Sequence, residues 1–346
     1  MATVIQVCSD VLCQFYKSQR KAVKNSNPQG FRLQRGRSHR LYSTRLWPVA
    51  SIADIDSDSR PTWYYDSAAQ KISFSAADGG DASLNTYCTP GGSSGVLGGA
   101  SATDISIQGI ESWYGDTGFN FNNCGSYEAV DCLAFGARDN GIAGDMSTGV
   151  EIRCESAANG NDGSNAHHQT TTLEDTTRNA VFLKIDAWCH DNYDDGDSLH
   201  ERCQGTYLGG LFEYNGNRGI ATAFGAHVTV RSAYSRKNGQ NSRGVGITGE
   251  GFGVIGVTDG GEGGNGTQME CYDCISESDN YGFAAHSFGN IVRAFNCKTI
   301  DALIAAYSAS EGDVYLQDCR DSGSATVKLE ALGGTITVNN GVAVAW

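Results

Sequence analysis

The densest chemistry in the chain lies at residues 189–203, CHDNYDDGDSLHERC, where two histidines, four aspartates and a glutamate stand between Cys189 and Cys203. Carboxylates at this density can ligate calcium, imidazoles can ligate a transition metal, and the two together can move protons. An acidic, solvated turn is the plain alternative. Read as an EF-hand with Gly196 at position 6, the stretch puts Asp191 and Asp195 at ligand positions but Tyr193 and Arg202 at two others. That excludes an EF-hand and leaves open an irregular calcium site built from Asp191, Asp194, Asp195 and Asp197; no other cofactor is required. The zinc-protease spacing HExxH is absent, because His200 and Glu201 are followed by Arg202 and Cys203. The lone CxxC at Cys271 and Cys274 lacks the second pair that a zinc site needs.

The elements that must position these groups follow from composition and repetition. Of 346 residues 45 are glycine and only 4 proline, and from about residue 75 onward Gly, Asn, Asp, Ser and Thr interrupt every apolar run, so long helices are excluded. Cysteines recur at a fixed step: Cys132 to Cys154 is 22 residues, Cys274 to Cys297 is 23, Cys297 to Cys319 is 22, and Cys154 to Cys189 is 35, one period plus an insertion. The local text repeats with them, as in VDCLAFGARDNGIAG (130–144), VEIRCESAANGNDG (150–163), DAWCHDNYDDGDS (186–198), LFEYNGNRGIATA (211–223) and YDCISESDNYGFAA (272–285). Each unit is a short apolar strand, a cysteine or aromatic, a polar turn ending in glycine, and a second apolar strand. Such a unit cannot bury its apolar face alone but can do so when stacked. The dense leucine consensus of leucine-rich repeats is missing.

On these repeats the chain resembles the right-handed parallel β-helix proteins of the pectin-lyase-like superfamily, and among them the phage tailspike depolymerases. The resemblance covers roughly residues 100–346. It implies an all-β fold, a right-handed parallel β-helix with rungs of about 22 residues, a polysaccharide substrate, an extracellular or virion-associated location, and a homotrimer. Within such a coil the cysteines form an interior column of small, soft side chains and are expected to be free thiols.

Stacked rungs lie about 4.8 Å apart, so residues one period apart form columns. With the turn glycine as origin, the fourth residue after Gly141, Gly163, Gly196, Gly219 and Gly282 is Asp145, His167, His200, Ala223 and His286. Asp145, His167 and His200 are therefore expected to share one outer column. Five of the seven histidines (167, 168, 190, 200 and 227) fall within this part of the chain. Glycoside hydrolysis needs two carboxyl groups, about 5–5.5 Å apart for retention or 6.5–9.5 Å for inversion, which adjacent rungs can supply. Asp194, Asp195, Asp197 and Glu201 on one rung face Asp145, Asp162 and Glu213 on its neighbours. A uronate lyase or epimerase instead needs a base, for which His167, His168 and His200 are candidates, and a cation such as Arg153, Arg202 or Arg243 to neutralise the substrate carboxylate. The leading assignment is His200 for proton transfer, Asp195 and Asp197 as carboxylates, and His167 as a neighbouring partner. Glu201, Asp194 and His168 support them, and Tyr193, Tyr214, Glu213, Arg243 and Asp145 contact substrate. Trp188, Tyr207 and Phe224 offer further apolar faces to sugars. Binding walls are expected from the insertion at 169–180 and the glycine-rich 246–266.

Charge divides the chain. Residues 1–60 hold 10 Lys and Arg against 4 Asp and Glu, a net of about +6, and the rest holds 15 against 35, a net of −20. The acidic part should repel nucleic acid. Residues 1–60 read as a basic leader or attachment segment, 61–100 as a cap region and 101–346 as the coil. No apolar run is long enough to span a membrane. No signal peptide is recognisable, since Asp10 interrupts the first apolar stretch and the positive charges follow it. A non-catalytic carbohydrate-binding or structural spike, and a uronan epimerase, are the alternative functions.

Overall fold

The computed structural model describes residues 3–5, 47–48, 62–66, 71–74, 96–97, 104–168, 180–239, 249–255, 266–309, 311–323 and 327–339. Two compact units divide the chain, Met1–Thr89 and Pro90–Trp346. In the first, strands at Thr3–Ile5, Trp47–Pro48, Thr62–Asp66 and Lys71–Phe74 form one four-stranded sheet. The second is a parallel β-solenoid of about nine turns, and no described residue is helical. No helix is long and apolar enough to cross a membrane among the described residues.

Each rung contributes one strand to each of three parallel sheets of ten, nine and ten strands. Sheet 1 collects the five-residue strands, such as Thr148–Ile152, Val181–Ile185, Gln204–Leu208 and His227–Arg231. Sheet 2 collects three-residue strands such as Glu155–Ala157, Trp188–His190 and Leu211–Glu213. Sheet 3 holds Ile142–Ala143, Ser164–Ala166, Asp197–Leu199, Ile220–Ala223 and their successors. Alternation decides what points inward: the second and fourth residues of sheet 1 strands are buried, as with Phe182 and Lys184 or Val228 and Val230.

The corners explain the repeat. Between sheets 1 and 2 the chain turns in two residues, the first in left-handed conformation (Asp131, Arg153, Asp186, Asp273, Asn296, Asp318) and the second small and buried. That second position is the cysteine column: Cys132, Cys154, Cys274, Cys297 and Cys319, with Ala187 and Ala233 taking the same place in intervening rungs. The nine described cysteines are buried thiols. Cys189 corrects the spacing argument, because it lies two residues beyond this corner, in sheet 2, paired with Ser156 and Phe212.

Between sheets 2 and 3 runs a buried amide ladder. Asn159 Nδ2 donates to Asn192 Oδ1 (2.8 Å), Asn192 to Asn215 (3.0 Å), Asn215 to Asn238 (2.9 Å), and Asn238 to Asp279 (3.0 Å). Each acceptor oxygen also takes a backbone N–H from the rung below, so a turn that would bury unpaired peptide groups is satisfied rung by rung. The turn glycines abut this ladder. A Cβ on Gly163 would stand 2.6 Å from Asn192 Nδ2, and one on Gly196 would stand 2.7 Å from Asn215 Nδ2 and 2.5 Å from the Gly219 carbonyl oxygen. Absence of a side chain, more than backbone freedom, makes glycine necessary there.

Candidate functional site

The register is the one the glycine origin predicts. Ile142 pairs with Ser164, Ser164 with Asp197 and Asp197 with Ile220, so Asp145, His167, His200 and Ala223 follow one another at the corner between sheets 3 and 1. There Asp145 Oδ1 accepts the backbone N–H of His167 (2.9 Å), and His167 Nδ1 lies 2.8 Å from Glu201 Oε2. The imidazoles of His167 and His200 are 4.3 Å apart between centroids, and His200 packs on Phe224 at 5.4 Å. The side chains of His167 and Glu201 are 28% and 37% exposed, so this pair meets solvent.

Glu201 and Arg202 both take left-handed backbone, φ +38° and +59°, in consecutive non-glycine positions. Single left-handed residues are regular at the corners of this coil; among the described residues this is the one place where two non-glycine residues take that conformation in succession. Burial by itself would lower the pKa of His167, but the hydrogen bond and charge of Glu201 outweigh it and the net shift is upward. Next to it His200 goes the other way, to about 3, through burial first and then the charges of His167 and Arg218. Burial raises the Asp145 carboxyl. Adjacent rungs thus set a protonation-prone histidine against a neutral one.

The rest of the acidic stretch does not converge on this corner, because one rung wraps the coil. Asp197 is turned into the interior, 0% exposed, where both carboxylate oxygens accept from Lys184 Nζ (2.8 and 2.7 Å). Lys184 also donates to Ser164 Oγ (2.6 Å) and lies 3.4 Å from Glu151. The expectation that Asp197 faces a groove is therefore corrected: every residue of its strand is buried, and its carboxylate is taken up by Lys184 in the interior. Asp195 is also buried, its Oδ1 accepting the backbone N–H of Arg218 (2.9 Å). His168 is buried. Glu213 is buried and clamped by Arg236 Nε (2.6 Å) and Trp188 Nε1 (2.9 Å) at the end of sheet 2, on another corner from His167.

Half-exposed Tyr193 and exposed Tyr214 belong to the turn between sheets 2 and 3, with Lys237 Nζ 5.4 Å above the Tyr214 ring. Arg243 lies outside the described residues, as does most of 169–180 and 246–266. The four aspartates considered for calcium are separated as well. Asp191 faces His190 (2.7 Å), whose pKa rises to about 9 because Asp191 and Glu155 overcome its burial, and Asp197 faces Lys184. Asp194 and Asp195 stay together and gain Asp162, all three offering oxygens within 4.8 Å. Asp162 and Asp195 are already spent on internal donors: Asp162 accepts from Asn165 (2.7 Å), Ser198 (2.6 Å) and the Asp195 N–H (3.0 Å).

Sequence reasoning missed the outer face of sheet 1. A cleft of about 400 Å³ crosses four rungs there, lined by Val181, Gln204, Thr206, His227, Thr229 and Glu270 among others. Farther along, Arg231 lies 4.2 Å over the ring of Tyr272, which stacks on Phe295 at 4.8 Å and 11°. These residues come from successive rungs in register, so the only sequence signal was the outward positions of the five-residue strands. Glu201 stands three residues before Gln204, at the point where the chain enters the cleft-bearing sheet. Comparison with protein-family models, curated proteins and solved structures gives no match to this chain.

Proposed function

We propose that the coil is a polysaccharide-cleaving enzyme of the pectin-lyase-like kind, with the His167–Glu201 pair supplying acid–base chemistry beside the sheet 1 cleft. The observation that carries this is the 2.8 Å contact between a part-exposed imidazole and a part-exposed carboxylate, held in a turn with two left-handed residues. The cleft is open to solvent and polar, and its Gln and Thr side chains suit hydroxyl groups. The Tyr272–Phe295 stack, with both faces of the Tyr272 ring covered by Arg231 and Phe295, offers ring edges to a sugar. Incubation with neutral and uronate-containing polysaccharides, following new reducing ends and the ultraviolet absorbance of an unsaturated product, tests the reading. Glu201→Gln is expected to slow cleavage by about 10²–10⁴-fold, the usual contribution of general acid–base catalysis. No product from any glycan refutes an enzyme.

A second reading is a non-catalytic glycan-binding spike. It is favoured by the burial of Asp195, Asp197 and Glu213, which removes the carboxyl pairs that hydrolysis uses. Retention of intact glycan without cleavage, unaffected by Glu201→Gln, would support it.

A further inference from the structure

We propose that His167, His200 and Glu201 form a three-ligand site for a divalent transition-metal ion of the zinc class. One ligand atom from each, two imidazole nitrogens and a carboxylate oxygen, lies within 4.8 Å of the others. The second, independent observation is His200 Nδ1. It is buried and has no hydrogen-bond partner among the described residues, although a buried polar nitrogen ordinarily finds one. Its ring is flanked by His167 at 4.3 Å and Phe224 at 5.4 Å, so packing holds its orientation.

The donor set selects the ion. Two imidazoles and one carboxylate match borderline ions such as Zn²⁺, Co²⁺ and Ni²⁺, whereas Ca²⁺ and Mg²⁺ take oxygen ligands almost exclusively. Three protein ligands with a fourth position left open is also the pattern of zinc sites that do chemistry rather than hold a fold. Ligands on one tetrahedral ion stand about 3.3 Å apart, given metal–ligand bonds of roughly 2.0–2.1 Å. The three atoms lie within 4.8 Å of one another, so binding requires rotation of the part-exposed His167 and Glu201 side chains to reach that spacing, the ion replacing the hydrogen now shared between them. Asp145, which accepts the His167 N–H, fixes the backbone of the first ligand and supplies a nearby negative charge.

The site coincides with the acid–base pair proposed above, and the inference rests on that reading only for its bearing on activity, because an ion on these atoms occupies the lone pairs that proton transfer uses. Binding is therefore measured without substrate. The full-length chain, stripped with a chelator, is titrated with ZnCl₂ by calorimetry and with CoCl₂ by visible absorption, with CaCl₂ as a control. The expected result is one ion per chain, a cobalt d–d band of tetrahedral or five-coordinate intensity, and no competition from calcium. His200→Ala and Glu201→Gln should each weaken zinc by more than the roughly 10–100-fold lost when an outer-shell partner of a ligand is removed. Glu201→Gln keeps shape and hydrogen bonding at a part-exposed position, so it guards against a folding defect in His200→Ala, which circular dichroism checks. Absence of stoichiometric zinc binding, or binding unchanged in both variants, overturns the proposal. Zinc binding together with no glycan cleavage in either metal state would uphold the site and refute the enzyme reading; cleavage without zinc binding would do the reverse.

Discussion

Replacing Lys184 with methionine separates a structural role for Asp197 from a catalytic one. Lys184 is 1% exposed and sits between Asp197 at 2.7 Å and Glu151 at 3.4 Å, with Ser164 at 2.6 Å and the Tyr127 hydroxyl donating to Glu151 (2.8 Å). Burial alone would depress the ammonium pKa, but the two carboxylates more than offset it and the net shift is upward. Asp197 is pushed up to about 7, by burial first, with Lys184 opposing. Methionine fills the same channel and leaves two carboxyl groups without a cation. Breaking one partner out of a buried ion pair costs about 3–5 kcal/mol, which at 2–4 °C per kcal/mol lowers the melting temperature by roughly 6–20 °C. The loss should be larger at pH 8, above the Asp197 value, than at pH 5, where a proton on Asp197 can take the place of the ammonium. Thermal melts by circular dichroism at both pH values measure it. Adding Asp197→Asn to Lys184→Met should restore much of the loss, giving a coupling of several kcal/mol in the double-mutant cycle. An unchanged melting temperature in Lys184→Met would refute the reasoning, as would an Asp197→Asn chain that melts like the wild type but no longer cleaves glycan.

Two further outcomes follow from the corners. Gly196→Ala should cost about 1–3 kcal/mol or prevent folding, since the new methyl must displace the Gly219 carbonyl or the Asn215 amide; a melt equal to the wild type would refute the packing argument. Asp279, which ends the amide ladder, has its pKa raised to about 7 by burial, against hydrogen bonds from Ser276, Asn238 and Ser235 that favour the ionised form. Because the folded value exceeds the unfolded one, its contribution is fully present below about pH 4 and is lost as pH rises through 7. Asp279→Asn, which continues the ladder with a neutral amide, should be the more stable chain at pH 8 by about 2–4 kcal/mol. A difference in melting temperature between the two chains that does not vary from pH 5 to 8 would sink this account.

Much of the architecture was legible because a solenoid writes its geometry into a one-dimensional period. Each rung meets only its neighbours, so the 22-residue step and the turn glycine suffice to stack Asp145, His167 and His200 in one column. The amide ladder was equally present in the text, as Asn159, Asn192, Asn215 and Asn238, but asparagine is so common in solvated turns that its recurrence alone does not mark a buried column. Cys189 shows the limit of spacing: its 35-residue step from Cys154 looked like one column with an insertion, while the pairing step there is 33 and puts Ala187 in the column instead.

What the sequence by itself determined is the coil, its register and the neighbours of His167. Only the tertiary structure decided which way each acidic side chain faces. The fifteen residues of CHDNYDDGDSLHERC pass through two sheets and two corners, so groups adjacent in the text are sent to different faces of the coil. Asp197 goes inside to Lys184, Asp191 to His190, Asp195 to Arg218, and Glu201 alone turns to His167. Alternation on a strand reverses direction at every residue, and a one-residue difference in where a strand begins exchanges core for solvent. The ionisable content could be counted from the sequence, but its placement depended on where each turn ended.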